Sequence, residues 1–347
     1  MSSPARTAAA PGDGGAATVG TLLGLCSALS YTLANAALRD VSRPDDLDWS
    51  LWVTVCKAAP VVLTAWALVG LRAARGRPAL PPRSVLPRLM AAGVLAQLGG
   101  NLMFQEALGV LGLALTVPVM FTGIILWGAA LGWFVLDEPV GLRQSVSIVL
   151  LIAATAALSL AAPDAAEAVV GQSLLGADVD PLRVALAVAT ALAAGCAYGT
   201  LGVVIRKTGG EGVGVAGTLA PLSAAGLASL AALIWLRGAA GWRTVNPIAD
   251  TPPDAVLPLL IAGTANAAAF FCIAAALHRI PVVRSNLLNA SQAAMAGVVG
   301  VVWFDEPPTR WLALGTTLTI AGLALLGLRA PRPRKPPKAP PPRENAL

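Results

Sequence analysis

Long apolar runs recur along nearly the whole chain, separated by short polar or basic breaks. Ten can be marked, at about 18–38, 50–71, 89–108, 114–136, 145–162, 182–205, 213–236, 255–277, 282–304 and 311–328. Each is close to the ~20 residues that a helix needs to cross a bilayer. In hydrocarbon the backbone must satisfy its own hydrogen bonds, so runs of this kind predict helices. No strand alternation of the barrel type accompanies them. The expected fold is therefore an all-α polytopic membrane protein with ten transmembrane helices. Residues 1–17 are rich in Ser, Ala, Pro and Gly and read as a disordered N-terminal tail. Residues 163–181 read as an extracytoplasmic linker, and 329–347 as a basic, Pro-rich, solvated tail.

The fourth run, LGLALTVPVMFTGIILWGAALGWFVLDEP from Leu111, ends abruptly on Asp137-Glu138-Pro139. A similar ending, VWFDEP, closes the ninth run on Asp305-Glu306-Pro307, 168 residues later. Tyr31 and Arg39 in the first run match Tyr198 and Arg206 in the sixth at an offset of 167. Two landmarks at nearly one offset indicate an internal duplication. The repeats are 18–162 and 182–328, with five helices each. Five is odd, so the second repeat enters the membrane upside down. Inverted repeats of this kind recur in secondary transporters, where the substrate sits near the midplane between repeats.

Composition sharpens the membrane reading. Of 347 residues, 56% are hydrophobic and 12% charged, and the mean hydropathy is +0.73. A soluble domain carries roughly 25% charged residues. The net charge of +6 does not point to nucleic acid, because the basic residues lie in short loops and in the tail, without interleaved aromatics. With both termini cytoplasmic, seventeen Lys and Arg fall inside and six outside, which sets the orientation in the cell membrane. Cys26, Cys56, Cys196 and Cys272 all lie inside apolar runs, and His278 is the one histidine. Neither a metal site nor a serine–histidine triad is expected from this set. Gly212-x-Gly214-x-x-Gly217 matches a dinucleotide pattern by letters but has no preceding strand. The expectation is no enzyme, no cofactor and no metal.

Polar residues at membrane depth carry the candidate chemistry. In the third run Gln97, Asn101 and Gln105 are spaced i, i+4, i+8 and are expected on one face. In the ninth, Ser285, Asn289 and Gln292 fall on one face, with Asn286 beside it; Asn266 is near the middle of the eighth. Tyr31 with Asn35, and Tyr198, are related by the duplication. Such groups line a wet cavity or bond neighbouring helices. Pro118 can free a backbone carbonyl toward a cavity. Trp127, lower on the same run, is either a substrate platform or a lipid-facing indole. Lys57 lies about 10 Å into the second run at 1.5 Å per residue. Glu106 lies near the outer end of the third. The two are expected to pair, with a coupling role as a candidate. Gly20/Gly24, Gly128/Gly132 and Gly195/Gly199 have the spacing of close helix contacts, within the chain or in a possible homodimer.

Ten helices in two five-helix repeats, each closing its fourth helix on an acidic turn (Asp137-Glu138-Pro139, Asp305-Glu306-Pro307) before a Gly-containing fifth helix, resemble the drug/metabolite transporter superfamily, EamA type. The resemblance covers residues 18–328. It implies cytoplasmic termini and a cavity lined by the first, third, fourth, sixth, eighth and ninth helices. Lys57, on the second, departs from that pattern. The function expected is a secondary transporter that exports a small polar or amphipathic metabolite or drug. Tyr31, Asn35, Gln97, Asn101, Trp127, Tyr198, Asn266, Asn289 and Gln292 are the expected substrate contacts. The alternative is a transport-inactive receptor or scaffold. The expected partners are the lipid bilayer and a small-molecule substrate, not nucleic acid.

Overall fold

The computed structural model describes residues 13–43, 46–160, 181–242, 249–304 and 308–327. The tail 1–12, the linker 161–180, the second acidic turn Asp305-Glu306-Pro307 and the basic tail from 328 lie outside the described residues. The first half holds α1 (Asp13–Asp40), α2 (Leu47–Ala74), α3 (Leu86–Val94), a π-helical segment (Leu95–Leu102), α4 (Met103–Leu136) and α5 (Leu142–Leu160). The second holds α6 (Pro181–Gly210), α7 (Val215–Ala239), α8 (Pro253–Leu277), α9 (Val282–Asn289), α10 (Ser291–Trp303) and α11 (Arg310–Gly327). Every regular element among the described residues is helical.

Among the described residues, six helices are long and apolar enough to cross a membrane: Gly15–Asp40, Leu47–Ala74, Thr116–Leu136, Leu182–Gly210, Val215–Ala239 and Pro253–Leu277. Trp133, Trp235, Trp242 and Trp303 are 58–72% exposed at or just beyond helix ends, an aromatic belt for a bilayer interface. The remaining expected spans have identifiable irregularities. The third run is α3, the π segment and the start of α4 in succession. The ninth is broken between α9 and α10 at Ala290. The fifth holds a shorter apolar helix, Leu142–Ala157. The tenth, α11, reaches the edge of the described residues.

Local chemistry explains the breaks. The third and fourth runs form one continuous assignment, yet Gly112 interrupts it at φ 69°, ψ −179°. That conformation is open essentially to glycine alone. The buried Thr116 hydroxyl then donates to Ala107 O across the bend, at 3.2 Å. Asp137 closes α4 in the left-handed region at φ 53°, a position that Asp tolerates better than most residues. Pro139 follows, where a helix cannot continue. The acidic turn is thus a helix stop in its own right. At the start of α2 the Asp46 carboxylate accepts the Trp49 N–H at 2.9 Å, an N-cap.

Packing runs between the two halves of the chain. The most extensive pairings all join an element of the first half to one of the second: α4 with α6, α1 with α8, α5 with α11, and α2 and α3 with α7. Small residues allow the closest crossing. A Cβ on Gly195 would lie 2.1 Å from Met120 O, so only glycine lets α6 reach the α4 backbone there. Two large apolar clusters and two small ones result among the described residues. One large cluster contains Leu38, Trp49, Phe104, Val117 and Phe121. The other large cluster contains Leu89, Leu201, Ile205, Leu219 and Leu277. Tyr198 packs against both.

Candidate functional site

A cavity of about 110 Å³ lies between the two large clusters. Residues from the first cluster (Phe104, Phe121) and the second (Leu201, Ile205) form its apolar wall. Its polar wall comes from both halves: Tyr31 and Asn35 on α1, Lys57 on α2, Gln97 and Asn101 on the π segment, Tyr198 on α6, Asn266 on α8, Asn286 and Asn289 on α9, and Gln292 on α10. Tyr31 from the first half and Tyr198 from the second both lie on this one wall.

The polar groups form short relays that end in unfilled atoms. The Tyr198 hydroxyl donates to Asn101 Oδ1 at 2.5 Å. Asn101 Nδ2 donates to Gln97 Oε1 at 2.7 Å. Gln97 Nε2 is buried with no hydrogen-bond partner among the described residues. On the other side Asn35 Nδ2 donates to Gln292 Oε1 at 3.3 Å. Asn286 Nδ2 reaches Ile124 O at 3.4 Å. Asn289 Oδ1 is left as a buried acceptor without a partner. A buried polar atom in that condition costs about 1–3 kcal/mol, which a hydrogen-bonding group in the cavity would relieve.

Two helix irregularities aim these side chains. The π segment has a wider turn than an α-helix and is a common mark of functional sites. It places Gln97 and Asn101 on the cavity, and Gln105 lies beyond it, in α4. Gln105 leaves the wall and donates to Ser42 Oγ at 3.0 Å. The expected three-residue face is therefore two residues long. In α2, Pro60 lacks the N–H that Cys56 O would accept. One residue along, Lys57 O accepts from Asn266 Nδ2 at 3.1 Å, which joins α8 to the loosened turn.

Lys57 is 5% exposed, and its Nζ stands 5.2 Å from the centroid of the Phe104 ring. The expected pair with Glu106 does not form. Phe104 and Glu106 are two residues apart on a helix and point to opposite sides, so a lysine facing one does not face the other. Glu106 is not on the cavity wall. Among the described residues that wall carries no Asp or Glu, and Lys57 is its one charged side chain. Trp127 is also displaced from its expected place. It is 45% exposed, turned out of the cavity, and its Nε1 donates to Thr200 Oγ1 at 2.9 Å. The α2 wall was not anticipated, although a proline inside a span next to a buried lysine was a usable signal.

Below the cavity, Glu138 of the acidic turn ties four helix ends together. Its Oε1 accepts from Arg206 Nε at 2.8 Å and its Oε2 from the Val282 N–H at 2.9 Å. Arg206 Nη1 also donates to Leu277 O at 3.1 Å. The ends of α4, α6 and α8 and the start of α9 converge there. His278 lies beside this knot; burial, then Arg279 and Arg206, pushes its imidazole down to about 4.

Comparisons with known proteins agree with the helical architecture. Residues 185–328 match the model of the EamA-like transporter family. No curated protein matches the chain. Twenty-eight solved chains match it in structure. One, described only as "Crystal structure of protein", superposes with a TM-score of 0.62 at 18% identity, over 90% of this chain and 97% of its own. At that identity it speaks for the fold alone. Through residues 185–328, in a multi-pass helical membrane fold, the chain is similar to the EamA-like transporter family.

Proposed function

We propose that this protein is a secondary transporter of the cell membrane, with both termini cytoplasmic. Its ten spans form two inverted five-helix repeats, 18–162 and 182–328. It exports a small polar or amphipathic metabolite or drug by alternating access. The single observation that carries this reading is the cavity: it is buried between the two large apolar clusters, both repeats supply its polar wall, and Gln97 Nε2 and Asn289 Oδ1 are left unfilled. Tyr31, Asn35, Gln97, Asn101, Tyr198, Asn266, Asn289 and Gln292 are the substrate contacts. Helix breaks at membrane depth support movement around them, since discontinuous helices frame the sites of many transporters. The π segment and the α9–α10 break are such places.

The test is substrate-dependent flux. The purified protein is screened by thermal shift against a metabolite panel, and each hit is then followed in proteoliposomes. Transport of a hit that is lost in Asn101→Ala supports the reading. Stabilising hits with no flux in either direction would mark a receptor or scaffold instead.

A further inference from the structure

The cavity wall holds one cation and no carboxylate among its described residues. Lys57 is buried, at 5% exposure, and its ammonium has only an aromatic face as its described side-chain contact. A cation–π contact offsets about 1–2 kcal/mol when desolvated. Burying an ammonium costs several kcal/mol, so a buried charge is ordinarily paired. The described wall supplies no counter-group, and an anionic solute entering the cavity would provide one.

From this geometry, and resting on the transporter reading of the same cavity, we infer that the substrate is a small organic monocarboxylate. Its carboxylate sits on Lys57, its apolar body lies against the aromatic wall of Phe104 and Phe121, and an N–H or O–H of the solute donates to Asn289 Oδ1. A phosphate fits less well. Dianions of that kind are recognised by several cations or by the bidentate fork of arginine, and the described wall has one lysine and no arginine. A cationic solute would meet Lys57 as a like charge. Gln97 Nε2, the open end of the Tyr198–Asn101 relay, is a neutral donor that suits an anion and gives nothing to a cation.

The experiment uses the purified full-length protein in detergent and matched acid and amide pairs. The pairs are 3-phenylpropanoate and 3-phenylpropanamide, 4-methylpentanoate and its amide, and the 2-hydroxy derivatives of each acid. Binding is read by thermal shift and calorimetry. The acids are expected to bind at least about tenfold more tightly than their amides. The 2-hydroxy acids should bind more tightly than the plain acids, and Asn289→Ala should erase that gain. Lys57→Met should abolish the preference for acid over amide, and Lys57→Arg should keep it. Equal binding of acid and amide, or full acid affinity in Lys57→Met, overturns the inference. If Lys57→Met fails to fold, the wild-type acid–amide comparison and Lys57→Arg decide. Failure of every acid to bind also overturns it, while flux of some other solute would leave the transporter reading standing. Acids that bind in the expected pattern but never cross the membrane would do the reverse.

Discussion

Single side chains decide how the cavity is built. The Tyr198–Asn101–Gln97 relay is a one-directional chain of donors, and its first link is the Tyr198 hydroxyl. Tyr198→Phe keeps the ring in both large apolar clusters but strips the donor from Asn101 Oδ1. The expected cost is about 1–2 kcal/mol of stability, seen as a lower melting temperature in detergent. Substrate affinity should fall as well, because Asn101 is then free to turn. His278 gives a second test. Its imidazole titrates near 4 in the folded protein and near 6.5 when unfolded, so the unfolded state binds more protons between those values. Stability contributed by the neutral ring is present above pH 6.5 and lost as the pH falls toward 4. Melting temperature should drop across that window, and His278→Gln should flatten the drop. The residue scale was also the least legible in sequence. Trp127 and Glu106 both lie on spans that reach the cavity, but the facing of a side chain depends on helix phase.

At the scale of elements, most of the reading came from apolar run length and punctuation. The bends at Gly112 and Asp137 fall where polar or glycine-rich breaks interrupt the runs, because those residues suit backbone conformations that others avoid. Helix irregularity inside a run left weaker signs. The π segment holds Gln97, Gly99, Gly100 and Asn101, yet a regular 3.6-residue period read through it put Gln105 on the same face, where it is not found. The break at Ala290 lies in a run whose composition continues through it. The small-residue spacings were more informative, and Gly195 and Gly199 pack against α4 of the same chain. The α4–α6 crossing depends on this. In Gly195→Ala the new methyl would meet backbone at Met120 O, which cannot swing aside as a side chain can. We expect a loss of several kcal/mol, by analogy with overpacked cores, and little or no monodisperse protein by size-exclusion chromatography. Gly15→Ala is the control, since nothing lies within 4 Å of its would-be Cβ.

At the scale of the whole molecule, the duplication visible in the sequence does not correspond to two separate packing units. α1 lies on α8, α4 on α6 and α5 on α11, and each main pairing crosses from one half to the other. The cavity follows the same rule, with Tyr31 from one half facing the space that Tyr198 closes from the other. A repeat offset reports descent and cannot by itself report which helices touch, so this interleaving was not readable beforehand. Residues 1–170 and 171–347 expressed as separate polypeptides should therefore be unstable alone. Together they should co-purify as one complex, as measured by affinity capture of a tag on either piece. Stable, monodisperse halves would contradict the packing. The interleaving also has a consequence for how the protein is made. When the first five helices have left the ribosome, Lys57, Gln97 and Asn101 are in the bilayer without Asn266 or Tyr198 to meet them, and Glu138 waits for Arg206 and Val282. The half-made chain is then a membrane-inserted intermediate with polar faces open to lipid. Each such face costs free energy in hydrocarbon until its partner in the second half arrives, so the folded state is reached only when the last helices are in place.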